Sequence, residues 1–138
     1  MRRLIVPFLL LALAATLTTS ALGARHSTGP VIALKTASFG KILATPGHLA
    51  LYTWNKEKGL KVSCTGACAK TWPPITVPHG TMIEKHIAGV MGTFGEVMRP
   101  GGATQVTYNG HPLYTFHGDT AKKILCNGVD GWFVVKVH

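Results

Sequence analysis

Leu51-Tyr52-Thr53-Trp54 recurs downstream as Leu113-Tyr114-Thr115-Phe116, and this repetition decides the fold. The spacing is 62 residues, and without a gap it also pairs Gly40 with Gly102, Thr45 with Thr107, Lys61 with Lys123, Cys64 with Cys126 and Gly66 with Gly128. Eight of the 28 pairs between positions 40 and 67 are identical. Average composition would give about two. Conservative pairs extend the match through Trp54/Phe116, Glu57/Asp119 and Val62/Ile124. A repeat of this kind must be recognised before local structure is read, because it sets the architecture.

Each copy reads as a hairpin. In the second, Thr104–Tyr108 and His111–Phe116 flank Asn109-Gly110. Both turn residues tolerate positive φ, which makes the pair the strongest short hairpin signal. In the first, Lys41–Thr45 and His48–Trp54 flank Pro46-Gly47, whose residues supply turn dihedrals. Further strands are expected at Val31–Ala37, Thr93–Arg99 and Trp132–Val137. Residues 66–72 suit one helical turn, stopped by Pro73-Pro74, and 76–92 read as an irregular excursion between the copies. The expected fold is mainly β: a small antiparallel domain of two tandem repeats, about 40–75 and about 102–137.

Residues 1–23 are set apart from this domain. Arg2 and Arg3 precede an apolar run, Leu4 to Leu17, interrupted only by Pro7 and Thr16. Fourteen residues fall short of the roughly 20 needed to cross a bilayer, so the run reads as a cleavable secretory signal. Ala21-Leu22-Gly23 supplies the small-x-small pattern for a cut before Ala24, with cuts after Ser20 or Ala24 as neighbouring alternatives. The expectation is one secreted or periplasmic domain, 24–138, with no stable membrane span after cleavage. Export places its cysteines in an oxidising compartment, where thiols tend to pair.

Composition narrows the classes further. The 138 residues are 46% hydrophobic, too apolar for an intrinsically disordered chain, and 16 Gly with 8 Pro are too many for a helical bundle. Fourteen Lys and Arg against five Asp and Glu make the chain basic, and removing Arg2 and Arg3 with the signal leaves an excess of seven. The cations are scattered, densest at Lys56, Lys58 and Lys61, with no stacking module beside them. That pattern fits a solvated face or weak attraction to anionic cell-envelope components better than nucleic acid. No Gly-x-Ser-x-Gly elbow, phosphate loop, dinucleotide fingerprint or His-Glu-x-x-His is present.

The quoted residues resemble the Tyr-x-(Phe/Trp/Tyr)-x-x-Asp signature of a bacterial family of secreted repeats, or predicted lipoproteins, of uncharacterised function. The resemblance runs through Tyr52-x-Trp54-x-x-Glu57, Cys64-Thr-Gly-Ala-Cys68, Trp72-Pro73-Pro74 and Gln105-Val-Thr-Tyr-Asn-Gly-His-Pro-Leu-Tyr114-Thr-Phe116-His-Gly-Asp119. It covers roughly 40–137. Glu57 stands where the family has Asp, and no lipoprotein cysteine adjoins the signal. The resemblance implies fold and compartment but no activity.

The signature residues have a structural role to play. Alternate residues share a strand face, so Tyr52 with Trp54, and Tyr114 with Phe116, are expected to supply core aromatics. Glu57 and Asp119 are expected to accept amides from the following turns. A ligand platform made of the same rings, with Glu57 and Asp119 as polar contacts, is the alternative and needs exposed aromatics.

The family's joint use of Cys64 and Cys68 favours a disulfide between them, leaving Cys126 as a buried or reactive thiol. Chain entropy values that short loop at about 2 kcal/mol against about 4 kcal/mol for Cys64–Cys126, so the longer bridge stays open as an alternative.

The leading functional expectation is a non-enzymatic extracytoplasmic binding or structural module with no cofactor. The alternative is a metal or redox protein using His, Met or Cys. His48 with His111, or His79 and His86 with Met82, could converge from separate elements. A cut before Ala24 would also create Ala24-Arg25-His26, whose amine, amides and His26 imidazole form a square-planar nitrogen set for copper(II) or nickel(II).

Overall fold

The computed structural model describes residues 29–57 and 59–138. Its elements are β1 (Ile32–Thr36), β2 (Gly40–Ala44), β3 (Tyr52–Trp54), α1 (Ala67–Thr71), β4 (Thr76–Val77), β5 (Phe94–Met98), β6 (Thr104–Tyr108), β7 (His111–Pro112) and β8 (Trp132–Val134). All strand pairings are antiparallel. The fold is mainly β with one short helix, in two related units. The expected signal segment, 1–23, and His26 lie outside the described residues.

In each unit an outer strand pairs with the first strand of a hairpin: β1 with β2, and β5 with β6. The hairpin turns differ. In the second unit Asn109 (φ 49°) and Gly110 (φ 81°) form the two-residue turn that the sequence predicts, with Tyr108 opposite His111. In the first unit the Thr45 N–H donates to the Leu49 carbonyl (2.9 Å) and the loop is Pro46-Gly47-His48, with His48 left-handed at φ 66°. The extra loop residue shifts the register. Leu51 N–H donates to Leu43 C=O and Leu113 N–H to Val106 C=O, so Leu43 and Val106, 63 apart, are structural equivalents. The ungapped pairs Gly40/Gly102 and Thr45/Thr107 are therefore not equivalent in space, a correction to the uniform spacing of 62.

The hairpins do not complete themselves. Three backbone hydrogen bonds close a ring in each unit. Leu43 N–H donates to Val135 C=O, Val135 N–H to Leu51 C=O, and Leu51 N–H to Leu43 C=O, each at 2.9 Å. Correspondingly, Val106 N–H donates to Ile75 C=O (2.8 Å), Ile75 N–H to Leu113 C=O (2.9 Å), and Leu113 N–H to Val106 C=O (3.0 Å). The last strand of the second copy thus completes the first hairpin, and the last strand of the first copy completes the second. β3 pairs with β8, with Tyr52 opposite Val134, and Tyr114 lies opposite Pro74 in the matching position. β4, beside β6, was not anticipated from sequence; its two residues sit in a stretch with no alternating pattern, and the pairing is imposed by the exchange.

Where the units meet, Tyr52 and Tyr114 exchange both backbone hydrogen bonds (2.8 and 3.0 Å). Two identical signature residues pairing with each other mark an approximate two-fold axis. Trp72 and Trp132 stack on that axis, 3.9 Å apart and 8° from parallel. Tyr52 meets Trp72 edge-on at 5.2 Å, and Tyr114 meets Trp132 edge-on at 5.1 Å. Trp54 stacks on Trp132 (5.1 Å) and Phe116 leans on Trp72 (4.8 Å). Each ring contact has its counterpart across the axis, and together they form one core cluster with Ile42, Ala50, Cys64 and Val134. A second cluster, including Leu43, Leu51, Phe94, Val106 and Leu113, lies under residues 77–90.

Candidate functional site

The signature hydroxyls and carboxylates cross the axis. The Tyr52 hydroxyl donates to Asp119 Oδ2 (2.6 Å), and the Tyr114 hydroxyl donates to Glu57 Oε1 (2.9 Å). Each copy's tyrosine is therefore held by the other copy's carboxylate. Tyr52 and Tyr114 have no exposed surface, and Glu57 is only 1% exposed. The carboxylates also order the loops that follow them. Glu57 Oε1 accepts the Ser63 and Cys64 amides (2.7 and 2.8 Å), and Asp119 Oδ1 accepts the Leu125 amide (2.9 Å). Glu57 Oε2 is buried with no hydrogen-bond partner.

Burial and the bonded carboxylate both disfavour phenolate. Tyr114 is pushed up to about 12, first by burial and then by the Glu57 charge. Tyr52 is held well above the ordinary tyrosine range, first by burial and then by the Asp119 hydrogen bond. Neither phenol is poised to give up its proton near neutral pH.

The two halves of this network differ in their neighbours. On the Glu57 side, Arg99 is buried and donates from Nη1 to Gln105 Oε1 (2.6 Å) and from Nη2 to the Cys64 carbonyl (2.7 Å). Its Nη1 also reaches the Tyr114 hydroxyl (3.4 Å), so that hydroxyl stands between guanidinium and carboxylate. A disulfide joins Cys64, in the same loop, to Cys68 in the first turn of α1. On the Asp119 side, Cys126 is a free, half-buried thiol. Its burial, with the Asp119 and Asp130 charges, raises its pKa, which lowers its reactivity.

The aromatic signature residues sort by depth: Tyr52, Tyr114 and Trp72 are buried, whereas Trp54 and Phe116 are half-buried. Lys56 Nζ sits 5.3 Å from the Trp54 ring centroid. His86 Nδ1 lies 3.3 Å from the Gly92 carbonyl and His117 Nδ1 3.2 Å from that of Thr71. Among the described residues, no group of three or more His, Cys, Asp or Glu side chains could hold a metal ion.

Open space lies instead along the strap between the units. A cavity of about 660 Å³ is bordered by Val31, Val77, Ile83, Ile87, Phe94 and Val106. A second, of about 600 Å³, is bordered by His79, Met82, Glu96 and Met98. Sequence reasoning treated residues 76–92 as an excursion and missed these clefts. The available signal was methionine placement: those after Met1 all fall at 82, 91 and 98.

Among the described residues, no helix is long and apolar enough to cross a membrane. A family model described as a secreted repeat of unknown function matches residues 33–76 and 95–136. No curated protein and no solved structure matches the chain. The two matched segments cover more than half of the 138 residues, and the chain belongs to this family of secreted repeats.

Proposed function

We propose that the protein is a non-enzymatic extracytoplasmic binding module. In this reading the exchanged repeats are a rigid frame, and the strap between them walls a site for a small, mostly apolar molecule. One observation carries the reading: the 660 Å³ cleft opens onto the end of the core, where Val31, Phe94 and Val106 belong to both the core cluster and the cleft wall. Its volume lies within the roughly 300–1,000 Å³ typical of small-molecule sites, and its lining is mostly apolar as such sites are. Glu84, Thr76 and Thr81 are the polar side chains on this wall, so an anionic ligand would lose hydration there without a matching cation. The non-enzymatic part is supported by the signature: its phenols and carboxylates are buried and bonded to each other.

Titration of the secreted chain with a neutral solvatochromic dye such as Nile red tests the reading. Saturable one-to-one binding with a blue shift is expected. Val77→Phe and Ile87→Phe, each adding a ring to the cleft wall, should weaken binding about tenfold or more, since blocking one to two kcal/mol of contact has that effect. Absence of saturable binding, or equal binding by both filled variants, contradicts the reading.

A further inference from the structure

Methionine is the residue that normally fills irregular gaps in a core. Here the core clusters contain none. Met82 is 95% exposed, Met91 72% and Met98 58%. Two of these exposed thioethers, Met82 and Met98, border the same 600 Å³ cleft as the His79 imidazole.

The topology explains why residues so far apart in sequence share one cleft. β4, β6 and β5 lie side by side, which puts Val77, Thr104 and Met98 in one row across the sheet. Two strand spacings make that row about 10 Å long. His79 follows Val77 by two residues, inside a turn closed by the Thr81 N–H donating to the Pro78 carbonyl (3.1 Å). Gly80, at φ 80°, takes the position where a type II turn requires a left-handed residue. Met82 comes directly after this turn. The strap is tied down again where the Phe94 N–H meets the Lys85 carbonyl (2.9 Å). His79 and Met82 thus border the cleft from the strap, and Met98 borders it from the sheet.

We propose that His79, Met82 and Met98 form a binding site for a soft monovalent metal ion, with Cu(I) as the natural occupant. Two thioethers and one imidazole are soft, neutral donors, the set that selects Cu(I) over hard divalent ions. Hard ions need several carboxylate oxygens. The whole chain has five carboxylates, and Glu57 and Asp119 are engaged in the frame. A singly charged ion also adds the least charge to a strongly basic protein, and the cleft wall carries one charge of each sign, Glu96 and Lys85. Among the described residues His, Cys, Asp and Glu alone provide no such donor set, and the thioethers supply the missing donors. Binding is a simple addition of the ion, with no electron transfer. The site shares the strap with the apolar cleft but does not rest on the small-molecule reading.

The test is a Cu(I) titration of the secreted chain against a chromophoric Cu(I) chelator, under ascorbate and without oxygen. The free thiol of Cys126 is the competing ligand, so the titration is run on Cys126→Ser. One Cu(I) per chain is expected, with X-ray absorption showing sulfur and nitrogen neighbours. The double variant Met82→Leu, Met98→Leu should lose affinity by about 100-fold or more, since even disturbing groups behind the ligands costs 10–100-fold. Met91→Leu should leave the affinity unchanged. Leu is close to Met in volume and both positions are exposed, so an unaltered melting temperature will separate lost ligation from lost folding. No Cu(I) bound by Cys126→Ser, or full affinity in the folded double variant, overturns the proposal.

Discussion

The loops after Glu57 and after Asp119 begin from equivalent positions and end differently. Both follow a carboxylate that receives a tyrosine hydroxyl from the other repeat and orders the amides of its own loop. Beyond that, the first is reinforced by the Cys64–Cys68 disulfide, by α1 and by the buried Arg99. The second keeps a free Cys126 and returns by a tighter route, with Asp130 and Gly131 at φ 50° and 84°. Eight positions separate Cys64 from Trp72, but six separate Cys126 from Trp132. The lesson is that the exchange fixes what both copies must share: the tyrosine, the opposing carboxylate and the axial tryptophan. The loops between those points are free to diverge.

Removing the carboxylates should break the comparison most strongly. Glu57→Ala strands the part-buried Ser63 amide, the buried Cys64 amide and the Tyr114 hydroxyl. At about 1–2 kcal/mol for each of these three groups, the loss should be roughly 3–6 kcal/mol by denaturant unfolding. Asp119→Ala strands the Tyr52 hydroxyl and one amide, and should cost roughly 2–4 kcal/mol. Equal losses would contradict the count of three contacts at Glu57 against two at Asp119.

The disulfide sharpens the comparison at a smaller scale. It closes a loop of only four-residue separation, so Cys64→Ala with Cys68→Ala should cost about 2 kcal/mol while the fold survives. The carboxylate contacts and the exchanged strands, not the disulfide, hold the loop in place. Global unfolding of that variant would reverse this ranking.

The smallest effect separates the two tyrosines by pH. An unfolded tyrosine ionises near pH 10, whereas Tyr114 is pushed up to about 12 in the folded protein. A group raised on folding lends stability that is complete below its unfolded value and lost as pH rises through its folded value. Denaturant midpoints should therefore fall between pH 10 and 12. Phenolate absorbance from Tyr114 should appear near pH 12, with Tyr52 ionising after it because its folded value is raised further. Phenolate from both residues at pH 10 in the folded state would show that the crossed hydrogen bonds are absent.

Much of the frame was legible in the chain. Asn109-Gly110 between alternating runs announced one hairpin, and Leu51-Tyr52-Thr53-Trp54 with its echo announced the duplication. The pairing of Glu57 and Asp119 with turn amides also followed from their spacing after the aromatics. The exchange was not legible. A repeat shows that two segments are alike, but not whether each completes itself or its neighbour. The register shift was hidden for a related reason: His48 adopts a left-handed backbone that favours Gly or Asn, so the three-residue loop left no glycine signature at that position. Arg99 and Gln105 were invisible because neither has a repeat counterpart; the equivalent strand positions hold Thr36 and Ile42. The clefts depend on how the strap crosses the sheet, and no periodicity encodes that.

The central claim is that neither repeat is complete without the other's last strand. Separate production of residues 29–85 and 86–138 tests this most directly, since the cut lies in the strap and leaves both rings of backbone bonds to be formed between pieces. The account predicts that neither piece alone shows a cooperative unfolding transition, and that mixing them restores one folded particle of one-to-one composition. Two pieces that each unfold cooperatively on their own would contradict it.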